Sequence, residues 1–501
     1  MVANSVVVVG AGSAGCVLAA RLSAEPRRHV VLVEAGPDYS STAALPADLA
    51  DGSLPASSHD WGLRTEPDAR GGPLHLPRAR VVGGCSATNA GFWLRGWPAD
   101  YDAWATDNPG WAFDELLPLF RSMEADRDFA HEWHGVDGQV PVSRVPVADL
   151  EPYPRAFVDA ALACGHAAVA DHNRPGAVGV GPVPRNVRDG VRMSTALTHL
   201  AAARTRRNLQ IIPDTAVDQL EPVGGRPRGV RTQRGDVIEA DTVIVAAGAY
   251  GSPAILLRSG IGPAAQLHAL GIPPVVDLPG VGANLVDHPL VAVDLPATPG
   301  RRGPALPVLL TLRSATADPA GPPDLHLFLA GPFDTPSVPS GAVFGIVTGL
   351  MSPRSRGSVR LRSADPADPP VIDPAYLRHP DDVTRMVEAT LAARRISRTG
   401  PLADLVAGPE IAPGAAVGDD DATGLAESIC RRVGPYHHPV GTCAMGADPG
   451  AGAVVDARGA VHGITGVLVA DASIMPTIPS ANTNASTIVI AERIARTVEP
   501  S

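Results

Sequence analysis

The sequence predicts two architectures in one chain. One is an α/β domain on a parallel, Rossmann-like sheet assembled from discontinuous segments. The other is an α+β domain built on an antiparallel sheet with helices. Three features of the sequence carry this prediction. A strand–glycine–helix unit opens the chain at Val6 to Leu22, and short β-branched runs return near residues 242 and 467. Between them, from about residue 294, the texture becomes period-two alternation broken by loops, the mark of half-buried antiparallel strands. At 501 residues the chain exceeds one ordinary domain. The expected division is 1–148, 190–293 and 436–501 for the first domain, with 149–189 and 294–435 forming the second.

The opening unit is the most informative. Val6-Val7-Val8-Val9 reads as a strand buried on both faces, as in a parallel sheet. Gly10, Gly12 and Gly15, with Ser13 and Ala14 between them, then lead into the helical pattern Cys16 to Leu22. At this GxGxxG spacing the first glycine permits a tight turn. The second lets backbone approach a pyrophosphate, and the third lets helix pack closely on strand. The anion sits at the helix N-terminus, where free N–H groups and the dipole favour it. A second run, Val30 to Val33, ends at Glu34 and Ala35. That places a carboxylate where an adenosine ribose hydroxyl needs an acceptor. An adenine dinucleotide site is expected.

Composition excludes several classes. All 41 basic residues are Arg, and without lysine there is no Schiff-base chemistry and no P-loop. A net charge of −11 argues against nucleic acid and anionic membrane surfaces as partners. The five cysteines are scattered without a CxxC pair, as expected of reduced thiols in a cytoplasmic protein. The first strand begins almost at once, leaving no room for a signal peptide, and no apolar run is long enough to span a membrane.

Along the chain, Arg80-Val81-Val82-Gly83-Gly84-Cys85-Ser86-Ala87-Thr88-Asn89-Ala90 is dense in small residues, as where backbone passes close to a flat ligand. His131-Glu132-Trp133-His134 is not a zinc site, because its histidines stand at i and i+3 rather than i and i+4. The adjacent pair His437-His438 fares no better, and no metal is expected. A helix is predicted from Ser194 to Arg204 and a strand at Leu209 to Ile212, followed by short strands at 215–220 and 229–230. The strand Thr242 to Ala249, containing Ala247-Gly248, should rejoin the first sheet before a helix at Ala254 to Ser259. In the second domain, strands are expected at 325–329, 343–351 and 358–362, with a helix from Asp381 to Ile396. A strand at Val467 to Asp471 and a helix at Thr487 to Ala495 return to the first domain's texture.

Seven blocks in this order resemble the glucose–methanol–choline (GMC) family of flavin-dependent alcohol oxidoreductases. They are GAGSAG with LVEAG, VVGGCSATN with RG and YDAW, GAYGSPAILLRSGIGP, LPGVGANLVDHP, MSPRSRGSVRLRSADPADPPVIDPAYL, YHHPVGTCAMG and VADASIMPTIPSANTNAST. The resemblance implies bound FAD and a substrate domain on an antiparallel sheet. It implies that Gly10, Gly12 and Gly15 hold the pyrophosphate, Glu34 the ribose, and Val217 the adenine region through its backbone. Gly83, Gly84, Asn89 and Ala90 would border the isoalloxazine and pyrophosphate, within a contact set that also takes in Arg80, Val82, Ser86, Ala247 and Gly248. Asp471 and Ala472 would lie along the ribityl and pyrimidine side, with Asn482 and Thr483 close to the ring.

The chemical pair implied is His438 and Asn482. Alcohol oxidation by a flavin removes a hydroxyl proton and transfers a hydride to N5, so the protein supplies a proton acceptor and a group to hold the alkoxide. A neutral histidine suits the first task, with His437 as the alternative base or a substrate contact. An amide such as Asn482 suits the second, although Asn484 lies close by. Members with covalently attached FAD carry histidine where Thr88 stands, so non-covalent FAD is expected. Choline-oxidising members carry a carboxylate where Leu290 stands and a histidine that aligns with Phe328. The expected substrate is therefore a neutral, partly apolar alcohol, with oxygen or another electron acceptor as partner. A lyase with non-redox FAD and a dehydrogenase serving a carrier or a natural-product tailoring step are the alternatives. An NAD-dependent dehydrogenase would account only for the first motif. Nothing in the sequence specifies an oligomer.

Overall fold

The computed structural model describes residues 4–67, 72–223, 226–298 and 306–498. Residues 1–3, 68–71, 224–225, 299–305 and 499–501, which the expected domain ranges include, lie outside the described residues.

The β-branched runs build one five-stranded parallel sheet. Its order is Val467–Val469, Thr242–Val245, Ser5–Val9, His29–Val33 and Leu209–Ile212. Every residue of the central Ser5–Val9 strand is buried, as a β-branched run in a two-sided sheet requires. The helix Ser13–Leu22 follows that strand and packs on the C-terminal helix Thr483–Thr497, so the two ends of the chain share one core.

The second core lies on a six-stranded antiparallel sheet. Its order is Gly434–Pro435, Pro289–Pro296, Ala342–Leu350, Leu325–Asp334, Val308–Leu312 and Gly179–Pro182. Leu325, Leu327 and Leu329 point to one face and pack with Phe344 and Ile346 against the helices Pro152–Ala163 and Pro380–Ser397. The intervening residues, His326 and Phe328, point to the opposite face, because side chains alternate along a strand. The Pro289–Pro296 strand belongs wholly to this sheet, so the expected boundary at 293 falls inside an element.

Three elements differ from the sequence reading. The helix expected from Ser194 shrinks to His199–Ala203. Ser194 and Thr195 are drawn instead into side-chain bonding, with Thr198 Oγ1 donating to the Ser194 carbonyl and Thr195 N–H donating to Ser86 Oγ. The strand Ser358–Arg360 stays outside the six-stranded sheet and pairs only with Val371–Asp373. The helix expected at Ala254 begins earlier, spanning Gly248–Arg258 with Pro253 inside it. Proline has no N–H for the Ala249 carbonyl, and Thr442 Oγ1 donates to that oxygen at 2.7 Å instead.

Candidate active site

Two glycine loops interlock at the carboxyl end of the parallel sheet. Gly10 has φ +94°, and a Cβ there would come within 2.6 Å of the Ala246 carbonyl oxygen. A Cβ on Gly15 would fall on the Gly10 carbonyl. Gly12 differs, because the nearest atom to its notional Cβ is Gly84 Cα at 4.0 Å. Packing therefore demands glycine at 10 and 15, whereas the protein itself leaves open space at 12. Gly83 N–H donates to the Ala11 carbonyl at 2.7 Å, seating the second loop on the first. Ser86 Oγ donates to the Gly83 carbonyl at 2.6 Å and braces that loop.

No side chain caps the helix that starts at Ser13. Its free N–H groups form an anion site. Ser13 Oγ donates to Asn484 Oδ1 at 2.9 Å, leaving Asn484 Nδ2 buried without a partner. Glu34 accepts from the N–H groups of Ala11 (2.9 Å) and Gly36 (3.0 Å), and burial pushes its pKa up to about 7. The uncapped helix start, the open side of Gly12 and the orphaned Asn484 amide fit a dinucleotide pyrophosphate.

The other expected contacts surround this cradle. The Ala35 carbonyl accepts from exposed Arg80, whose guanidinium lies over Trp61, and Val82 N–H donates to the Pro37 carbonyl. The Asn89 and Ala90 carbonyls accept from Arg192 and Arg185. Val217 begins the short strand Val217–Val223. Ala247 N–H donates to Ser252 Oγ at 3.0 Å. Asp471 is turned inward, accepting from Gly248 N–H (2.8 Å), Ser252 Oγ (2.6 Å) and Ser473 N–H (2.7 Å). Its carboxylate is spent within the protein.

His438 and Asn482, 44 residues apart, meet with Asn482 Nδ2 3.1 Å from His438 Nε2. On the other side of the ring, His438 Nδ1 lies 2.9 Å from His288 Nδ1, and His288 Nε2 lies 3.0 Å from the Met351 carbonyl. A carbonyl only accepts, so the His288 hydrogen is on Nε2 and its Nδ1 is an acceptor. His438 Nδ1–H then donates to His288, leaving the His438 lone pair on Nε2 beside Asn482. Burial lowers the pKa of His288 to about 3 and that of His438 well below the ordinary value, so both rings are neutral.

The backbone at this point is clamped from two sides. His438 N–H donates to Asp287 Oδ1 at 2.7 Å, the Tyr376 hydroxyl donates to Asp287 Oδ2 at 2.6 Å, and Arg78 donates to the His437 carbonyl at 2.8 Å. Burial raises the Asp287 pKa to about 6. His437 itself, expected as a substrate contact, takes a left-handed φ of +70° and is exposed, so the adjacent imidazoles diverge. His288, Asp287, Tyr376 and Arg78 were not among the expected site residues. Asp287 and His288 lay inside the recognised LVDHP block, but their partner is about 150 residues away and no local pattern reports it.

Leu290 and Phe328 lie on the same face of the antiparallel sheet. Register places Leu290 and His326 opposite Gly349, and Phe328 opposite Val347. Tyr436 covers this face, with its ring 4.5 Å from His438 and 5.6 Å from Phe328 between centroids, and Phe92 meets Phe328 edge-on. Gly349 makes room for it, since a Cβ there would be 2.8 Å from the Tyr436 ring. The result is a largely apolar, aromatic wall next to His438, with no carboxylate at 290 and no histidine at 328.

His134 occupies a separate buried cluster. Nδ1 lies 3.0 Å from both Glu124 and Asp126, and Nε2 lies 2.9 Å from Asp171. Arg95 pairs with Glu124 and Arg144 with Asp126 and Asp171. Burial by itself lowers the His134 pKa, but hydrogen bonds to Asp126, Asp171 and Glu124 outweigh it and push the pKa up to about 10. These atoms come within metal-ligand range of one another, but the carboxylates are already matched by three cations.

The fold and this site define a class, the FAD-dependent oxidoreductases that act on CH–OH groups. The chain belongs to the GMC oxidoreductase family, whose N-terminal part matches residues 4–290 and whose C-terminal part matches residues 353–491. A GMC-type oxidoreductase of Rhodococcus erythropolis is 37% identical over 97% of this chain and 96% of its own length. The 5-(hydroxymethyl)furfural oxidase of Methylovorus sp. is 36% identical over 98% and 97%. Among solved structures, pyridoxine 4-oxidase from Mesorbium loti superposes with a TM-score of 0.90 at 34% identity, covering 99% of both chains. Among the described residues, no helix is long and apolar enough to cross a membrane.

Proposed function

We propose that the protein oxidises a neutral, partly apolar alcohol to an aldehyde or ketone, with His438 as the base and Asn482 holding the alkoxide. The observation that carries this reading is the His288–His438–Asn482 chain, which leaves a neutral imidazole lone pair on His438 Nε2. A substrate hydroxyl placed there gives its proton to Nε2, and His288 receives the Nδ1–H hydrogen bond that steadies the resulting imidazolium. The Asn482 amide N–H then donates to the alkoxide oxygen without titrating. When bound, FAD supplies the acceptor for the hydride that leaves the carbinol carbon. Tyr436, Phe328 and Leu290 present apolar surface beside His438 and offer no counter-charge to a quaternary ammonium, which disfavours choline. The names of two relatives point the same way, since 5-(hydroxymethyl)furfural and pyridoxine are ring-bearing alcohols. Thr88, in place of a histidine, supports FAD held without a covalent bond. The electron acceptor is oxygen or another carrier.

The test is an anaerobic screen of alcohols against the yellow holoenzyme, followed by admission of oxygen. A good substrate bleaches the flavin, and His438→Ala slows bleaching by about 10²- to 10⁴-fold while the protein stays yellow. Normal bleaching in His438→Ala would place the base elsewhere. Turnover without any bleaching would identify a lyase.

A further inference from the structure

We propose that Arg192, with Arg185 beside it, supplies an unneutralised buried positive charge that acts through the Asn89–Ala90 peptide on the flavin ring and raises its midpoint potential. The inference goes beyond the alcohol reading and rests only on FAD occupying the glycine cradle.

The loop that carries this peptide spans the site. At one end Gly84 meets Gly12, its notional Cβ 2.5 Å from Gly12 Cα. At the other, Ala90 packs against the cluster of Phe328, Tyr436 and Ala481, next to His438. A flavin anchored at the first end and reacting at His438 runs along this loop. The Thr88 and Asn89 N–H groups donate to the Cys85 carbonyl, and the Gly91 N–H donates to Asn89 Oδ1. The Ala90 N–H has no acceptor among the described residues, and Ala90 is only half-buried. One donor of this loop is left for a ligand.

Arg192 bonds the other side of that same peptide. Its Nε donates to the Asn89 carbonyl at 2.6 Å and its Nη1 to the Ala87 carbonyl at 2.8 Å. Its Nη2 donates to the carbonyls of Asp51, at 2.7 Å, and Leu54. Arg185 Nη2 donates to the Ala90 carbonyl at 2.9 Å. A guanidinium on a peptide carbonyl strengthens the donor at the N–H of that peptide, because hydrogen bonds in a chain polarise one another.

The charge sets Arg192 apart from an ordinary latch. Its side chain is fully buried, yet among the described residues it bonds backbone carbonyls and no carboxylate. Arg95, Arg144, Arg385 and Arg394, also buried, each pair with a carboxylate. The acids whose charges reach Arg192, Asp51 and Asp48, turn instead to Ser53 and Ser58. Burial lowers the Arg192 pKa to about 10, which leaves it charged at neutral pH. Burying an unpaired charge is costly. That cost is offset when a group close by gains negative charge, as a flavin does on reduction. His288 and His438 are neutral and provide no such counter-charge.

The midpoint potential of the holoenzyme is measured at pH 7 by dye-linked reduction without substrate, so the result stands whether or not an alcohol is the natural reductant. Arg192→Gln, which keeps an N–H donor but no charge, is expected to make two-electron reduction about tenfold less favourable, a fall of about 30 mV. Arg192→Lys keeps the charge and loses most of the carbonyl bonds. It is expected to recover most of the potential while melting at a lower temperature. Arg185→Gln, at a half-buried position, lowers the potential in the same sense and decides the matter where the Arg192 variants fail to fold. An unchanged potential in the Gln variants, or an equal fall in Arg192→Lys, overturns the proposal and leaves Arg192 as a latch between this loop and residues 49–54.

Discussion

At the scale of single residues, the site depends on where one proton sits. His438 can act as a base only if its lone pair is on Nε2, and His288 enforces that by presenting an acceptor to Nδ1 while its own hydrogen is tied to the Met351 carbonyl. Removing the enforcer frees the other tautomer, which points a hydrogen at Asn482. His288→Leu is expected to slow anaerobic flavin bleaching by about 10²-fold, the low end of what general-base catalysis contributes, with FAD retained. Unchanged bleaching would show that the tautomer is set elsewhere. His438 and Asn482 were legible as members of sequence blocks. His288 was not legible as their partner, because its role consists of one 2.9 Å contact across about 150 residues. Sequence favoured Asn482 over Asn484, two residues on, without a local pattern to separate them. In three dimensions they separate, one facing His438 and the other Ser13.

At the scale of elements, the three glycines of the first loop serve different ends and should fail differently. Gly15 holds helix against strand, since a Cβ would fall on the Gly10 carbonyl. Gly12 has room for a methyl group as far as the protein is concerned, with its nearest neighbour at 4.0 Å. Gly12→Val should therefore give a folded protein that is colourless and gains little thermal stability when FAD is added. Gly15→Val should fail to accumulate as folded protein, because overpacking a closed turn is costly. A yellow Gly12→Val protein would show that the cofactor backbone does not approach there. The strand–glycine–helix unit was readable because its period and spacing are local. The short helix at His199–Ala203 was misjudged, because the Ser86 hydroxyl takes the Thr195 N–H and the Thr198 hydroxyl bonds the Ser194 carbonyl, competing for backbone groups that a helix needs.

At the scale of the molecule, the His134 cluster joins the two cores. Glu124 and Asp126 belong to the part built on the parallel sheet, while Asp171 comes from the segment that leads into the antiparallel one. The folded-state pKa of His134, about 10, lies above the ordinary 6.5. Its stabilising contribution is therefore complete below pH 6.5 and is lost as pH rises through 10. Thermal melts of the holoenzyme should show Tm falling between pH 7 and 10 more steeply than in His134→Gln. That variant should also be destabilised by about 3–5 kcal/mol at neutral pH, because it strands buried carboxylates. Parallel pH profiles for the two proteins would remove His134 as the linking charge. In sequence, the 131–134 run was visible only as a metal motif at the wrong spacing, since its partners lie up to 37 residues away.

By itself the sequence determined the parallel sheet, the glycine turn and the return of the C-terminal helix to the first core, and it singled out His438 and Asn482 as the candidate pair that the fold brings together. These are written in short-range patterns: β-branched runs, glycine spacing and contiguous blocks. Only the tertiary structure decided which ring nitrogen of His438 carries the lone pair, that His437 stands exposed at a left-handed φ, that Asp471 spends its carboxylate internally, and that Tyr436 packs between His438 and Phe328. Each of those depends on the direction of a side chain and on partners supplied by distant strands, which residue order alone does not encode.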